Sequence, residues 1–290
     1  MDSFYLIPNH LKPACENYAQ KIAAYLREKG KKCVIDPSLP GGETNLPQPS
    51  GRGTAVSDRI GQDVEVVLVL GGDGTLLRAC RNLVNRDLPL MGINMGTLGY
   101  LAEIELCNVY PALDRLIDGD FFTEERMMLS GSVYREKERI YEDIALNDIV
   151  IARHGRLRVI DFKIYVNRIF LCAYRADGII ISTATGSTGY SLSAGGPIVS
   201  PDARLMVMTP IAPHTMNSRP IVLPDDVEVT VEVAGRSMTE KDGEEVTFDG
   251  AASLRLRMGD TIRVNRSQRQ TKLIRINKTS FVEILRRKMN

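Results

Sequence analysis

Val64-Glu65-Val66-Val67-Leu68-Val69-Leu70-Gly71-Gly72-Asp73-Gly74-Thr75-Leu76-Leu77-Arg78-Ala79-Cys80-Arg81-Asn82-Leu83 decides the fold of this chain. Its first seven residues form a nearly unbroken apolar run of strand length, the pattern of a strand buried in a parallel sheet. From Thr75 to Leu83 the apolar residues recur at helical spacing. A strand-glycine-helix junction leaves backbone N–H groups free at the positive end of a helix, which suits phosphate. An aspartate at that junction has two readings. It caps the helix in a tight turn, or it works as a carboxylate, holding a metal or taking a proton from an attacking hydroxyl.

Outward from this junction, strand-like and helix-like segments alternate over residues 1–125. Phe4–Pro8 precedes a helical pattern from Pro13 to Lys29 that Gly30 terminates. Cys33–Asp36 reads as a short strand, Leu88–Asn94 as a strand leading through Gly96, Gly99 and Tyr100, and Val109–Gly119 as a helix. Such alternation predicts a Rossmann-like, doubly wound parallel α/β sheet. Pro37–Ser57, rich in Pro, Gly, Ser and Thr, reads as a long loop. Beyond Phe121–Met128 the period changes to two, in Phe162–Val166, Val227–Val233 and Leu254–Met258. Turn signals at Asn167-Arg168, Asp225-Asp226 and Gly259-Asp260 separate these runs, which predicts an antiparallel β-sandwich-like domain. Ser280–Arg287 is helical again. The expected organisation is an α/β domain over 1–125, a β-rich domain over 126–277, and a C-terminal helix over 278–290 returning to the first.

With 290 residues, 43% hydrophobic and 25% charged, the composition is that of a soluble globular protein with two domains. A formal net charge of +1 gives no reason to expect nucleic acid or a membrane as partner. No apolar run approaches the roughly 20 residues of a membrane span, and Met1–Pro8 reads as a first strand rather than a signal peptide. Cys15, Cys33, Cys80, Cys107 and Cys172 are odd in number and lack metal-site spacing. They are expected to be reduced thiols of a cytoplasmic protein. His10, His154 and His214 are too scattered for a His-based metal site.

Three further motifs carry chemistry. Asn147-Asp148 interrupts the apolar Ala145–Ile151, either as a strand end serving a turn or as an amide and carboxylate gripping sugar hydroxyls. Asp177–Pro197 takes a buried strand into a hydroxyl- and glycine-rich segment (Thr183, Thr185, Ser187, Thr188, Ser191, Ser193) with one aromatic face, Tyr190. Those parts suit a nucleotide, the ring stacking on a base and the hydroxyls bonding a sugar. Asn94–Leu101 is a second strand-to-helix junction with glycines and an aromatic ring.

Together, Gly71–Thr75, Asn94–Leu101, Asn147-Asp148 and Asp177–Ser191 resemble the NAD kinase family, of the ATP-dependent bacterial type, in order and spacing. Ser191–Pro197, His214–Ile221 and Phe248-Asp249-Gly250 match the family further downstream. Three departures stand out: Asp148 replaces a usual Glu, Tyr100 a common Phe, and Ala251 a common Gln.

The resemblance implies transfer of the γ-phosphate of ATP to the 2′-hydroxyl of the adenosine ribose of NAD, giving NADP and ADP. It makes Asp73 the catalytic group that accepts or holds the hydroxyl proton. It assigns Gly74, Tyr100, Asn147, Asp148, Arg175, Asp177, Thr185, Thr188, Gly189, Tyr190 and Ser193 to NAD, and Gly71, Gly72, Thr75 and Arg78 to the phosphates of ATP. Arg175 further inclines the donor choice towards ATP over polyphosphate. Gly51-Arg52-Gly53 has two readings, a loop closing over ATP or a solvated surface arginine. No Lys-Ser or Lys-Thr follows the glycines, so this is not a Walker-type loop. Mg2+ or another divalent cation is expected to be held through the ATP phosphates, with no dedicated protein site. A homodimer or homotetramer is the implied assembly. Competing readings are a lipid or sugar kinase sharing Gly-Gly-Asp-Gly, and a non-catalytic dinucleotide sensor.

Overall fold

The structure, a computed structural model, describes residues 1–37, 55–96, 99–155, 159–215, 218–234 and 243–289, with nothing described of the side chains of Ala55, Val56 and Ala252. Most of the Pro37–Ser57 loop, including Gly51-Arg52-Gly53, therefore lies outside the described residues, as do Thr97, Leu98, Met216 and Asn217. The chain divides into two compact units.

The first unit holds β1 (Ser3–Pro8), α1 (Pro13–Glu28), β2 (Lys32–Ile35), α2 (Ala55–Arg59), β3 (Val66–Gly71), α3 (Asp73–Leu83), β4 (Leu90–Asn94), β5 (Ile104–Glu105) and α4 (Val109–Asp118). The strands run parallel in the order β2-β1-β3-β4, with Phe4 opposite Val66 and Val67 opposite Leu90. Every residue of β3 is buried. Val66, Leu68 and Leu70 join a cluster with Ile22 and Leu26 of α1 and Leu113 and Leu116 of α4. Val67 and Val69 necessarily face the other side of the pleat. There Gly92 of β4 lies so close to Leu76 of α3 and Ala102 that a Cβ would press on both. A sheet covered on both faces explains the unbroken apolar run.

Helix ends follow the sequence. Pro13 opens α1 at its first turn, and Gly119, at φ 79°, closes α4 in the left-handed conformation that glycine tolerates. One expectation fails: Ala55–Ser57 is not loop, because the chain already turns into α2 at Ala55. Five residues are too few for a helical period to show against a Pro- and Gly-rich background.

The second unit comprises residues 127–270 among those described. It contains β7 (Glu138–Ala145), β8 (Asp148–His154), β9 (Ile160–Val166), β10 (Ile169–Ala176), β11 (Gly178–Thr183), α5 (Tyr190–Ser193), β12 (Leu205–Ile211), β13 (Ile221–Pro224), β14 (Val229–Val233), β15 (Gly243–Phe248) and β16 (Ala252–Leu256). It also takes most of β6 (Phe122–Arg135) and of β17 (Thr261–Arg275). One antiparallel sheet runs β13-β12-β11-β8-β15-β16; another sequence of antiparallel neighbours is β10-β9-β14-β17. Ile149, Ile151, Ile179, Ile181, Val246 and Phe248 from the first pack with Phe162, Ile164, Val229, Val231, Ile262 and Val264 from the second. That is the predicted sandwich-like core.

Asn167-Arg168 joins β9 to β10 with both residues at positive φ, as a two-residue hairpin requires. Glu136-Lys137 does the same between β6 and β7 without any turn-favouring residue type. Residues 271–277, assigned by sequence to the β-rich domain, belong to the first unit because β17 continues unbroken into it. The closing helix, α6 (Phe281–Met289), is also part of the first unit. No helix among the described residues is long and apolar enough to cross a membrane.

Candidate active site

Asp73 is the first residue of α3, following Gly72 in extended backbone. Its carboxylate does not cap its own helix. Oδ2 accepts the N–H of Tyr100 at 2.7 Å, and Oδ1 those of Leu101 at 3.2 Å and Ala102 at 3.1 Å. An ionised carboxylate offers about four acceptor positions, so three amides orient it and leave room for one hydroxyl. A Cβ at Gly99 would overlap this carboxylate, which is why the segment can approach so closely only with glycine there.

The neighbouring glycines divide into two kinds. A Cβ at Gly71 would lie 2.7 Å from that of Thr75, so Gly71 serves packing. Over Gly72 and Gly74 there is nothing within 4 Å, so both leave their backbone uncovered at the positive end of α3. Thr75 is buried, its hydroxyl accepting Asn9 Nδ2 at 3.1 Å, whereas Arg78 is exposed. Tyr100 has the Lys288 ammonium of α6 4.4 Å from its ring centroid and the Phe281 ring at 6.3 Å. A cavity of about 300 Å³ adjoins it, lined among others by Glu103, Arg275, Ile284 and Arg287.

In the second unit, Asn147-Asp148 lies at the break between β7 and β8, not inside one strand, because Leu146 and Asn147 have left the ladder. The turn that holds them comes from elsewhere. Asp249, at φ 50° in the β15–β16 hairpin, accepts the N–H groups of Leu146 at 2.7 Å, Asn147 at 2.7 Å and Asp148 at 3.1 Å. Asp148 is 6% exposed; burial first, and the Asp249 charge second, push its carboxyl up to about 7. Asn147 Oδ1 is buried with no protein partner.

After β11 the hydroxyl-rich segment folds back on this turn. Thr183 Oγ1 donates to the Leu146 carbonyl at 2.7 Å and its N–H to that of Asn147 at 2.9 Å. A Cβ at Gly186 would strike the Asn147 backbone, and one at Gly189 would lie 3.4 Å from Asn147 Nδ2 and 3.7 Å from Asp148 Oδ2. The glycines thus bring Asn147, Asp148 and the Thr185–Gly189 segment together. Thr185 is buried, and Thr188 Oγ1 donates to its carbonyl at 3.2 Å. Tyr190 and Ser193 are exposed. Asp177 is gripped by Arg153, Nη2 to Oδ2 at 3.1 Å. Arg175 is 70% exposed and pairs with Asp161 at 3.2 Å.

Sequence reasoning assigned no role to Asp249, although the Asp-Gly turn signal was present, and passed over Arg275 and Asn9. Nothing local marks those two, since their partners lie far away in the chain.

Residues 4–121 match the family described as ATP-NAD kinase N-terminal domain, and residues 146–276 the ATP-NAD kinase C-terminal domain. The NAD kinase of Lachnospira eligens is 42% identical over 300 aligned positions, covering 100% of both chains. That of Geobacter metallireducens is 39% identical, over 96% of this chain and 94% of its own. Among solved structures, yeast NADH kinase complexed with NADH aligns with a TM-score of 0.83 at 20% identity, covering 100% of this chain and 87% of the other. An NAD kinase from Archaeoglobus fulgidus in complex with ATP aligns at 0.75 and 23%, covering 98% and 99%. At those identities the structural likeness speaks for the fold.

Proposed function

The chain belongs to the NAD kinase family and acts as an NAD kinase, phosphorylating the 2′-hydroxyl of the adenosine ribose of NAD from ATP; we propose that Asp73 is the residue which accepts or orients that hydroxyl. The observation that carries the assignment is the carboxylate held by three successive amides beside the uncovered glycines 72 and 74. Phosphoryl transfer asks chiefly for positioning and charge stabilisation. A ribose hydroxyl is a very weak acid, so its proton moves only as the new bond forms.

Gly71, Gly72, Thr75 and Arg78 serve the phosphates in this reading, with Gly74 beside the acceptor ribose. Gly71 does so by packing, and Thr75 through its backbone, since its hydroxyl is engaged by Asn9. Asn147, whose Oδ1 has no protein partner, and Asp148 take ribose hydroxyls. Thr185, Thr188, Gly189 and Ser193 line the same ligand, Tyr100 and Tyr190 offer ring faces, and Asp177 and Arg175 serve the far end of the dinucleotide.

Among the described residues no three carboxylate, imidazole or thiol groups converge on a point. We take Mg2+ or another divalent cation to arrive on ATP as part of the substrate. A cation so bound neutralises phosphate charge. We further take the assembly to be a homodimer or homotetramer. Ile169, Phe170 and Leu171 stand exposed on β10, an edge strand, at 74%, 56% and 42%, and such an edge invites a second copy. A cytoplasmic location accords with five free thiols. A lipid or sugar acceptor finds no support in family membership.

The test is an incubation of the purified protein with NAD, ATP and Mg2+, read with an NADP-specific dehydrogenase. NADP formation is expected; tight NAD binding without turnover would mark a sensor, and no NAD binding would sink the assignment.

A further inference from the structure

Leu101 and Ala102 share one peptide plane, and that plane is held from both ends. Its N–H, from Ala102, donates to Asp73 Oδ1 at 3.1 Å. Its carbonyl, from Leu101, accepts Arg275 Nη1 at 3.0 Å. Arg275 is the last residue of β17, and its side chain is 6% exposed. The guanidinium is itself fixed: Nε donates to Glu124 Oε2 at 3.0 Å, and Nη1 lies 3.5 Å from Glu103 Oε2. Glu124 also accepts from Arg126. Burial pushes the Glu124 carboxyl up, but Arg275 and Arg126 outweigh it and hold the group below the usual carboxylate range. Glu103 Oε1 accepts the Asn277 N–H at 2.6 Å. All of these residues lie in the first unit.

A guanidinium bonded to a carbonyl polarises the amide and strengthens its N–H as a donor. The planar fork of arginine lets one side chain serve a carboxylate and a carbonyl together, which an ammonium does less well. We propose that Arg275 is a positioning residue for phosphoryl transfer: it clamps the Leu101–Ala102 peptide and so fixes the orientation of the Asp73 carboxylate. The inference rests on the reading of Asp73 given above. It differs from the bland role of a buried arginine, tying a strand end to a loop, in requiring that the effect pass through Asp73.

A double-mutant cycle separates the two. Wild type, Arg275→Lys, Asp73→Ala and the double variant are compared in kcat, in KM for NAD and ATP, and in NAD affinity by calorimetry. Arg275→Lys is expected to lower kcat by about 10- to 100-fold, the scale of a misplaced reacting group. Both KM values and NAD affinity should stay within about threefold, and the substitution should have no further effect once Asp73 is Ala. An unchanged kcat, or a loss that persists without the Asp73 carboxylate, overturns the proposal. Full activity of Asp73→Ala would instead overturn the reading of Asp73 beneath it. Should Arg275→Lys not fold, Glu124→Gln is run through the same cycle. That change keeps the guanidinium but weakens one anchor, and a several-fold fall in kcat, absent when Asp73 is Ala, is expected; no fall overturns the proposal.

Discussion

Asp148 and Asp249 are joined twice through the backbone, the Asp249 N–H donating to the Asp148 carbonyl at 3.0 Å and the Asp148 N–H to Asp249 Oδ1 at 3.1 Å. The link fixes two carboxylates near each other, and burial with that neighbour carries Asp148 up to about 7. Its ordinary value in an unfolded chain is 3.8. Between these values the native state holds a proton that the unfolded chain has released, so stability falls as pH rises from about 4 to about 7 and stays lowered above. Asp148→Asn removes the penalty. It should raise Tm over wild type at about pH 8, with the gap closing towards pH 5. NAD affinity, which should strengthen in wild type as Asp148 ionises, should be flat with pH in the variant. Parallel Tm curves for the two proteins would rule out this titration.

Asp73→Asn tests the other carboxylate. An amide keeps one acceptor oxygen but turns a donor towards the N–H groups of residues 100–102. We expect kcat to fall by about 10²- to 10⁴-fold, with NAD affinity nearly unchanged. Stability should drop by about 1–3 kcal/mol from the unsatisfied amide, seen as a lower Tm. Retained kcat would remove Asp73 from the chemistry.

Gly74→Ala sets stability against function. A Cβ there meets nothing within 4 Å, and alanine favours a helix over glycine by about 1 kcal/mol. If the acceptor ribose lies over this residue, kcat/KM for NAD should fall by about tenfold or more while Tm holds or rises. Unaltered kinetics would place the ribose elsewhere.

The edge strand β10 yields a prediction about assembly. Phe170→Lys replaces an exposed ring between Ile169 and Leu171 with a charge, and charge on an edge opposes strand addition. Light scattering after gel filtration should report a smaller species than wild type, with the far-ultraviolet spectrum unchanged. An identical mass would overturn the reading of β10 as a contact between copies.

What was legible in the sequence is what local pattern encodes. The β3 run is apolar because both faces of that strand are covered, and Asp73 is conspicuous because carboxylates are out of place among phosphate-binding glycines. Asn147-Asp148 stood out as polar residues in apolar surroundings, but the strand break beneath them did not show. That break is stabilised by Asp249, about a hundred residues away. Arg275 was illegible for the same reason: its bond to Leu101 spans 174 positions. The Glu136-Lys137 turn was hidden because neither residue type favours positive φ; the hairpin imposes it.

Asp73 and Asp249 use one device twice, a carboxylate closing on three consecutive backbone N–H groups. Because these bonds end on main chain, they are indifferent to the side chains at residues 100–102 and 146–148, with proline, which has no N–H, the one exception. Exchanging the Tyr100 ring for that of Phe, or the Asp148 side chain for that of Glu, leaves the N–H that each donates in place. A substitution at residue 100 or 148 therefore alters a side chain while its anchoring bond is kept, whereas Leu101, Ala102 and Leu146 are constrained besides by their own burial.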